Sequence, residues 1–314
     1  MKPHIPTVSQ SSAHDSRIFD RELVRVHRDR AAHNFHHHNF LVSEIAQRCA
    51  ERLTAVNRTF ERVLDLGCHC GELAQALRER TDITTLFQAD LSEKMVRKAQ
   101  GIRVVADEEA LPFAENSFDL VISALSLHWV NDLPGTLIQI NRCLKPDGLL
   151  LGTFLGGQTL HELRAALLHG EIDAEGGASP RVSPFAEIRD AGSLLQRAGF
   201  ALPVADIETI TVTYTDTLAL MKELRGMGET NALVNRRQKS TSRMTFAAAA
   251  HNYTEQYADQ DGRIPATFEI LTLTGWCPDP GQQQPLKPGS ADARLADALN
   301  TQELSAGDTT GSKS

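Results

Sequence analysis

The sequence predicts an α/β fold in which a seven-stranded mixed sheet carries helices on both faces. Three observations lead to this prediction. Apolar segments typical of strands alternate with helical segments between residues 62 and 155, a glycine turn follows the first of these strands, and two more strand-like segments come late in the chain. In an open sheet of this kind, ligands bind at the carboxyl ends of the strands.

The first strand and its glycine turn are the most informative segment of the chain. The strand at 63–66 contains Asp65 and leads into a turn that begins at Gly67 and ends at Gly71, with helical spacing of apolar residues from Glu72 onward. Glycines let the backbone come close to a ligand, and the N–H groups of the following helix face that ligand. The turn has neither the dinucleotide-binding pattern nor the lysine of a P-loop, so it predicts another nucleotide-like cofactor.

Acidic residues stand at the ends of the next two predicted strands. The strand at 84–89 ends at Asp90, and the strand at 102–106 ends at Asp107 and Glu108. An acid about 20 residues beyond the glycine turn accepts hydrogen bonds from a ribose in such folds. Each acid taken alone is also explained as a strand-end or helix-capping residue. Because all of them fall at one edge of the sheet, we expect them to surround the cofactor.

The other predicted elements complete the sheet and cover it. Further strands are expected at 117–123, 149–154, 204–214 and 266–274. Helices are expected within 17–53 and at 158–168, 185–198, 216–225 and 241–260. We expect the segment 216–260 to form a helical cover over the cofactor edge.

The composition of the chain divides it into four parts. Residues 1–17 are polar, rich in serine and histidine, and predicted to be disordered, and 18–60 hold N-terminal helices. The cofactor-binding domain is expected at 61–275. The segment 276–314 is polar, contains several prolines and is predicted to be a tail that forms no core.

Charge and cysteine usage narrow the functional classes. The formal net charge of −8 argues against a surface dedicated to nucleic acid. The five cysteines have no C-x-x-C spacing, and His27 and Asp29 point apart on a helix, so neither a disulfide framework nor a metal site is predicted. The sequence shows no signal peptide and no transmembrane segment, which predicts a cytoplasmic protein and leaves peripheral membrane association open.

Two segments carry polar or aromatic groups beyond the predicted cofactor site. His128 and Trp129 follow the fourth strand, where a histidine is able to accept a proton from a substrate and where both rings are equally able to form an aromatic wall. Asn235 and Arg236 follow a loop with paired glycines, which suits either a bound peptide or substrate carboxylate or a solvated joint between helices. These residues are the catalytic candidates.

The order of these signals resembles that of the class I S-adenosylmethionine-dependent methyltransferases. Their first motif is Asp/Glu-x-Gly-x-Gly-x-Gly, and here Asp65, Gly67, His69 and Gly71 stand at those positions, with histidine in place of the middle glycine. The resemblance implies a Rossmann-like class I methyltransferase fold, S-adenosylmethionine as cofactor and an adenine contact from Asp107. The predicted cofactor-binding residues are Asp65, Gly67, Cys68, Gly71, Asp90, Leu91, Asp107, Glu108 and Ser123.

Longer stretches resemble the family of the respiratory complex I assembly factor five, methyltransferase-fold proteins described as arginine hydroxylases. Matching segments include 154–164, 175–185, 226–231 and 264–268, and the resemblance covers most of 18–290. It implies a protein substrate, an arginine in a subunit of NADH–quinone oxidoreductase, and a role in assembling that complex.

The first half of the chain also resembles the methyltransferase that acts on malonyl-acyl carrier protein in biotin synthesis, with parallels at 30–35 and at His128 and Trp129. Three hypotheses stay open at this point. The chain is an enzyme that modifies a protein during complex I assembly, a carboxyl O-methyltransferase for malonyl-acyl carrier protein or a small acid, or a cofactor-bound assembly chaperone without catalysis. His69 in place of the middle glycine favours the chaperone modestly.

Overall fold

A computed structural model describes residues 17–185, 188–282 and 300–301 of the chain. The chain falls into two units, Met1–Pro278 and Asp279–Ser314, and the elements named below belong to the first. The strands are β1 (Arg62–Leu66), β2 (Thr85–Asp90), β3 (Ile102–Val105), β4 (Phe118–Ala124), β5 (Leu144–Leu155), β6 (Ala201–Tyr214) and β7 (Ile264–Trp276). The helices are α1 (Arg21–Ala31), α2 (Phe40–Thr54), α3 (Glu72–Ala76), α4 (Glu93–Val96), α5 (Leu133–Cys143), α6 (His161–Glu175), α7 (Ile188–Arg197), α8 (Thr217–Met227) and α9 (Arg243–Tyr257).

The sheet has the strand order β3-β2-β1-β4-β5-β7-β6. The strands β1 to β5 pair in parallel, whereas β7 lies antiparallel between β5 and β6. The predicted seven-stranded mixed sheet of an α/β fold is therefore confirmed. Because the parallel strands run in the same direction, their carboxyl ends form one edge, and the residues that follow those strands meet there.

The burial of each strand matches its place in the sheet. In β1 every residue after Arg62 is buried, as expected for a central parallel strand with helices on both faces. Successive side chains point to opposite faces, so Val63 packs into one large core and Leu64 into the other. The edge strand β3, in contrast, leaves Ile102 and Val105 exposed.

The segment 17–53, where helices were expected, forms the two helices α1 and α2. Asp20 caps the first of them, because its side chain accepts the backbone N–H of Leu23 at 3.1 Å. A 3₁₀ turn at Phe35–His37 separates α1 from α2, and the fully buried ring of Phe35 holds this turn against the core. The break lets α1 follow its own direction and lie beside the carboxyl edge of the sheet.

Some predicted boundaries differ from the structure, and some lie outside it. The strand predicted at 149–154 begins earlier, at Leu144, because Leu144 pairs with Phe118 across a register shift. The predictions for 1–16, 186–187, 283–299 and 302–314 fall outside the described residues. In the part of the chain that is described, no helix is long and apolar enough to cross a membrane.

Candidate cofactor and substrate site

The glycine turn after β1 is hydrogen-bonded to the end of β2. The backbone N–H groups of Gly67 and Cys68 donate to the carbonyl of Ala89 at 2.8 and 2.9 Å. Gly67 has a φ of +75°, and a Cβ placed there would lie 2.1 Å from the Cβ of Ser126. A side chain at this position is therefore excluded both by the backbone conformation and by the close approach of the loop after β4.

Asp90 ends β2, and its side chain is fully buried. Its carboxylate accepts the backbone N–H groups of His69 at 3.1 Å and Ser92 at 2.8 Å. The guanidinium of Arg28, which belongs to α1, lies 3.3 Å from both carboxylate oxygens. Asp90 thus joins the glycine turn, the start of α4 and the helix α1 at the position predicted for a ribose.

Glu108 is a second fully buried carboxylate at this edge. It pairs with Arg28 at 3.2 Å and makes short contacts with Arg21 and with the hydroxyl of Ser126. Burial by itself raises the pKa of Glu108, but the charges of the two arginines outweigh burial and hold the pKa well below its usual range. The neighbouring Asp107 is 32% exposed and accepts from Arg21 at 2.6 Å.

These residues form one polar group, called here the strand-end cluster: Asp90, Asp107, Glu108, Ser126, Arg21 and Arg28. The acids meet at one edge as predicted, and Asp90 and Glu108 share the guanidinium of Arg28. Burial lowers the pKa of Arg28, yet the charges of Asp90 and Glu108 raise it by more, so the side chain stays a cation.

The arginines and Ser126 were missing from the predicted cofactor site. Both arginines come from α1, within the segment predicted as separate N-terminal helices, whereas the cover over this edge was expected from 216–260. One signal in the sequence points to Arg28: it shares a helix face with Val24 and Ala31, both buried. An arginine on the apolar face of a helix needs a buried partner.

Asp65 lies below the glycine turn in a different environment. Its side chain is fully buried, and the carboxyl accepts a hydrogen bond from Nε2 of Gln88 at 3.2 Å. Burial raises the pKa of Asp65 to about 8, so the group is largely protonated at neutral pH. Asp65 is therefore a neutral support for the turn in this structure rather than a free carboxylate.

The other predicted cofactor residues surround the turn and the nearby strand. Cys68 is buried, and burial raises the pKa of its thiol well above the ordinary value. Gly71 begins α3 with a left-handed backbone conformation. Leu91 packs against a small apolar cluster that includes Trp129. The hydroxyl of Ser123 is buried in β4 and has no hydrogen-bond partner among the described residues.

His69 occupies the position of the missing middle glycine. Its φ of +49° lies in the left-handed region that a glycine adopts without strain. The imidazole stacks on the ring of Phe35, with centroids 5.5 Å apart and planes 5° apart, and its Nε2 lies 3.1 Å from the carbonyl of Ala124. The side chain therefore fills space between the turn, β4 and the segment that joins α1 to α2.

His128 and Trp129 meet at the carboxylate of Glu229. Helix α8 ends at Gly228, whose φ of +86° turns the chain so that Glu229 follows directly. The Glu229 carboxylate lies 3.0 Å from Nε2 of His128 and accepts the indole N–H of Trp129 at 3.0 Å. Burial raises the pKa of Glu229, but the charge of His128 and its hydrogen bond outweigh burial and the net pKa is lowered. Glu229 is therefore an anion.

An apolar cavity of about 450 Å³ opens beside Glu229. Its walls come mainly from β5, α6, α8, α9 and β7 and include Leu155, Leu163, Leu167, Met221, Phe246 and Phe268. Trp129 connects this apolar cavity to the strand-end cluster, because its ring lines the cavity and its carbonyl accepts Nη1 of Arg21 at 3.2 Å. A cavity of this size is within the usual range for small-molecule and side-chain binding.

Charged residues are few in the walls of the apolar cavity. Among the described residues that line it, Glu229 is the only acid. Arg181 also lines it and is paired with Glu171 at 2.8 Å, while Lys222 and Arg225 are exposed to solvent.

The other two catalytic candidates lie elsewhere. Arg236 donates to the carbonyl of Leu233 at 2.8 Å and pairs with Asp20, the cap of α1, at 3.3 Å. Asn235 is exposed and lines a different groove, of about 900 Å³. The structure brings His128 and Trp129 together at Glu229, and it places Asn235 and Arg236 away from that carboxylate.

Comparisons with known proteins agree with this architecture. A family model described as a methyltransferase domain matches residues 64–152. The curated protein "Arginine-hydroxylase NDUFAF5, mitochondrial" of Danio rerio is 43% identical over 92% of this chain and 92% of its own length. The malonyl-[acyl-carrier protein] O-methyltransferase of Halorhodospira halophila is 35% identical over 83% of this chain and 90% of its own length. The crystal structure of the YcgJ protein from Bacillus subtilis covers 75% of this chain and 99% of its own, with a TM-score of 0.52 and 16% identity, and it supports the fold alone.

S-adenosylmethionine is the cofactor of this class of domain, and the residues at the strand-end edge fit it in kind. Carboxylates at the ends of β2 and β3 suit ribose hydroxyls and an adenine amino group, and the turn at Gly67 lets the backbone approach a ligand. The same carboxylates, however, already bind the guanidinium groups of Arg21 and Arg28. Asp90 and Glu108 can therefore hold a cofactor only when these arginines move off the carboxylates.

Proposed function

We propose, from the premise that this chain belongs to the NDUFAF5 arginine-hydroxylase family, that it is an enzyme that modifies an arginine side chain of a protein. The expected substrate is a subunit of NADH–quinone oxidoreductase, and the expected setting is the assembly of that complex. The methyltransferase domain is expected to hold S-adenosylmethionine at the strand-end cluster. The observation that carries the proposal is the carboxylate of Glu229 in the wall of the apolar cavity.

The apolar cavity and Glu229 suit the two parts of an arginine side chain. The methylene stem of an arginine packs on apolar walls, while its guanidinium pairs with a carboxylate. A carboxylate has about four acceptor positions, and the contacts from His128 and Trp129 leave part of this capacity available. Hydrogen bonds to a charged group contribute about 1.5–3 kcal/mol each, so Glu229 is expected to contribute strongly to substrate recognition.

The cations near the apolar cavity do not cancel this attraction. Arg181 is already neutralised by Glu171. Lys222 and Arg225 are exposed, so their repulsion of a guanidinium is screened by water and salt. Glu229 is mostly buried, where the effective dielectric is lower and the attraction is less reduced. Among the described charged residues that line the cavity, Glu229 is therefore the one that attracts a bound guanidinium, and it shares its charge with the imidazole of His128 at 3.0 Å.

Hydroxylation, the reaction named for the relatives, replaces a C–H bond of the arginine with a C–O–H group. Dioxygen supplies the oxygen atom, and an external two-electron donor reduces the second oxygen atom to water. The residues of this chain contribute binding and orientation: Glu229 fixes the guanidinium, and the apolar walls fix the stem. Such positioning is itself a large part of catalysis when the reacting atoms are held close.

A second candidate function is O-methylation of the malonyl group on an acyl carrier protein. Relatives of that name and the exposed cations Lys222 and Arg225 beside the cavity support it, because a substrate carboxylate pairs with cations. The buried carboxylate of Glu229 opposes it, because two carboxylates at one site repel each other. A requirement for biotin in a deletion strain supports this second function, and growth without biotin contradicts it.

The intact mass of the partner subunit tests the proposal. The subunit is purified from parent cells and from cells that lack this chain, and the arginine peptides are sequenced by mass spectrometry. A gain of one oxygen atom in the parent indicates hydroxylation, and a gain of one methylene unit indicates methyl transfer. Identical masses leave only the chaperone hypothesis for this partner and contradict the proposed enzyme.

The substitution Glu229→Gln tests the site itself. It keeps the size of the side chain and removes its charge, so we expect the KM for the protein substrate to rise about tenfold or more with a smaller change in kcat. The matched control is Glu223→Gln, which neutralises a carboxylate that pairs with His38 at 2.9 Å and lies outside the cavity lining. Equal KM values for the two variants would contradict the role of Glu229.

A further inference from the structure

We propose that Arg28 is an internal occupant of the cofactor site and that α1 moves away from the strand-end cluster before S-adenosylmethionine binds. This inference concerns cofactor loading, and it holds whichever substrate the enzyme modifies. It goes beyond the proposed function because it makes the N-terminal helix a gate for the cofactor.

The hydrogen bonds of Asp90 carry the first step of the argument. One carboxylate oxygen accepts the N–H of Ser92 and a contact from Arg28, and the other accepts the N–H of His69 and a contact from Arg28. A carboxylate offers about four acceptor positions, so those of Asp90 are all in use. Ribose hydroxyls gain access to this carboxylate only when Arg28 leaves it.

The carboxylate of Glu108, at the end of β3, is occupied in the same way. Its carboxylate is contacted by Arg28, by Arg21 and by the hydroxyl of Ser126. Arg21 also donates a hydrogen bond to the carboxylate of Asp107. The acids at the ends of β2 and β3 are therefore paired with two arginines of one helix. Because Arg28 is only 2% exposed, its guanidinium fills the space between these acids.

Hydrogen bonding sets the two occupants against each other. The guanidinium of Arg28 and the ribose hydroxyls of the cofactor compete for the same carboxylate of Asp90. The positive sulfonium of S-adenosylmethionine adds repulsion, because Arg28 carries a permanent positive charge at a buried position. The cofactor-bound protein favours a conformation in which Arg28 has moved away from the acids. In the cofactor-free protein, Arg28 stays between them.

The contacts of Arg28 suit an occupant that can be displaced. Its contacts with Asp90 and Glu108 have lengths of 3.2–3.3 Å, at the long end of the hydrogen-bond range, and its buried Nε has no partner among the described residues. An unpaired buried N–H disfavours the closed state. The contact with Ser126 at 2.9 Å is the one of ordinary length.

The first test measures S-adenosylhomocysteine binding by titration calorimetry. The apparent dissociation constant equals the intrinsic constant divided by the fraction of open molecules, so Arg28→Ala is expected to bind about tenfold or more tightly than the wild type. The matched control is Arg25→Ala, which removes the same charge from a partly exposed position on α1 that pairs with Glu22 and Asp29, and it is expected to bind like the wild type. Weaker or unchanged binding by Arg28→Ala, including no binding by any of the proteins, overturns the proposal.

The second test uses the unaltered chain, so it does not depend on the folding of a variant. Hydrogen exchange of the α1 amides is measured with and without saturating S-adenosylhomocysteine. We expect faster exchange across Arg21–Ala31 when the ligand is bound, because the buried contacts of that helix have been broken. Slower exchange in this helix shows that α1 closes over the ligand, and unchanged exchange shows that α1 stays in place; either result contradicts the gate.

Discussion

The strand-end cluster and the apolar cavity share one edge of the sheet and differ in how they are filled. In the cluster, the carboxylates of Asp90 and Glu108 are surrounded by hydrogen-bond donors, and Arg28 lies between them. The cavity holds about 450 Å³ between leucine, methionine and phenylalanine side chains, with Glu229 in its wall. The first region is polar and full, and the second is apolar and open.

This difference teaches that the two regions bind ligands in different ways. A ligand in the cluster exchanges contacts, because each hydrogen bond it makes replaces one to an arginine and the net gain is small. A ligand in the cavity adds contacts, because it buries apolar surface at about 25 cal/mol per Å². We therefore expect cofactor affinity to depend on α1 and substrate affinity to depend on the cavity walls.

The largest expected effect comes from Gly67→Ala, which breaks the cluster. The new Cβ would lie 2.1 Å from the Cβ of Ser126 at a φ of +75°. Overpacking and the left-handed conformation together are expected to lower the free energy of unfolding by about 3 kcal/mol or more. Ser126 has to move, so its contacts with Arg28 and Glu108 are lost. S-adenosylhomocysteine binding is expected to be lost as well, because the glycine turn no longer lets the backbone approach a ligand.

Denaturant unfolding and calorimetry check this prediction against Gly177→Ala. In the described part of the chain, no neighbouring atom lies within 4 Å of a Cβ added to Gly177, so that variant is expected to stay within about 0.5 kcal/mol of the wild type. A Gly67→Ala protein as stable as the Gly177→Ala protein would show that the turn and the loop after β4 tolerate separation.

A smaller effect is expected from Gly170→Ala, which breaks the cavity wall instead. A Cβ on this residue of α6 would lie 2.5 Å from the backbone N of Ala249 in α9, so the two helices have to separate. Alanine favours the helix by about 1 kcal/mol, and the clash costs about 1–3 kcal/mol, which leaves a net loss of up to about 2 kcal/mol. Substrate affinity is expected to fall, because both helices line the cavity.

The control for this change is Gly192→Ala in α7. Among the residues that the structure describes, no atom lies within 4 Å of its added Cβ, so only the helical preference acts and the variant is expected to gain stability. Gly170→Ala is expected to bind S-adenosylhomocysteine as the wild type does. A loss of cofactor binding in Gly170→Ala would mean that the cavity and the strand-end cluster are not independent.

The comparison also separates what the sequence predicts from what it leaves open. Strand period, turn chemistry and the acids after β2 and β3 are local patterns, so the sheet and the meeting of Asp90 with Glu108 follow from them. The partners of Arg28 lie 62, 80 and 98 residues away along the chain. No local pattern specifies such partners, and an arginine in a helix is ordinarily solvated.

The sequence predicts the apolar cavity only in part, because its residues are also far apart along the chain. His128 and Trp129 are recognised as a pair because they follow a strand, but Glu229 reaches them across about 100 residues. The cavity walls come from α6, α8 and α9, whose mutual packing depends on tertiary contacts. The order of the elements therefore predicts that helices cover the carboxyl edge of the sheet. Tertiary packing determines which of their side chains line the cavity.

The smallest effect distinguishes Asp65 from the paired acids of the cluster. Burial raises the pKa of Asp65 to about 8, against an ordinary value of 3.8. Between these pH values the folded chain holds a proton that the unfolded chain has lost, so the free energy of unfolding falls as the pH rises through this window. Asp65→Asn keeps an acceptor for Gln88 and removes this titration.

Unfolding curves of wild type and Asp65→Asn at about pH 6 and about pH 7 measure the difference, which is expected to be about 1 kcal/mol in favour of the variant at the higher pH. Glu108 shows the opposite sign, because its pKa is depressed and its stabilisation is lost only as the pH falls below the ordinary range of a carboxyl. Parallel pH profiles for wild type and Asp65→Asn would mean that Asp65 is ionised, and the glycine turn would then present a further charged carboxylate beside the three acids of the strand-end cluster.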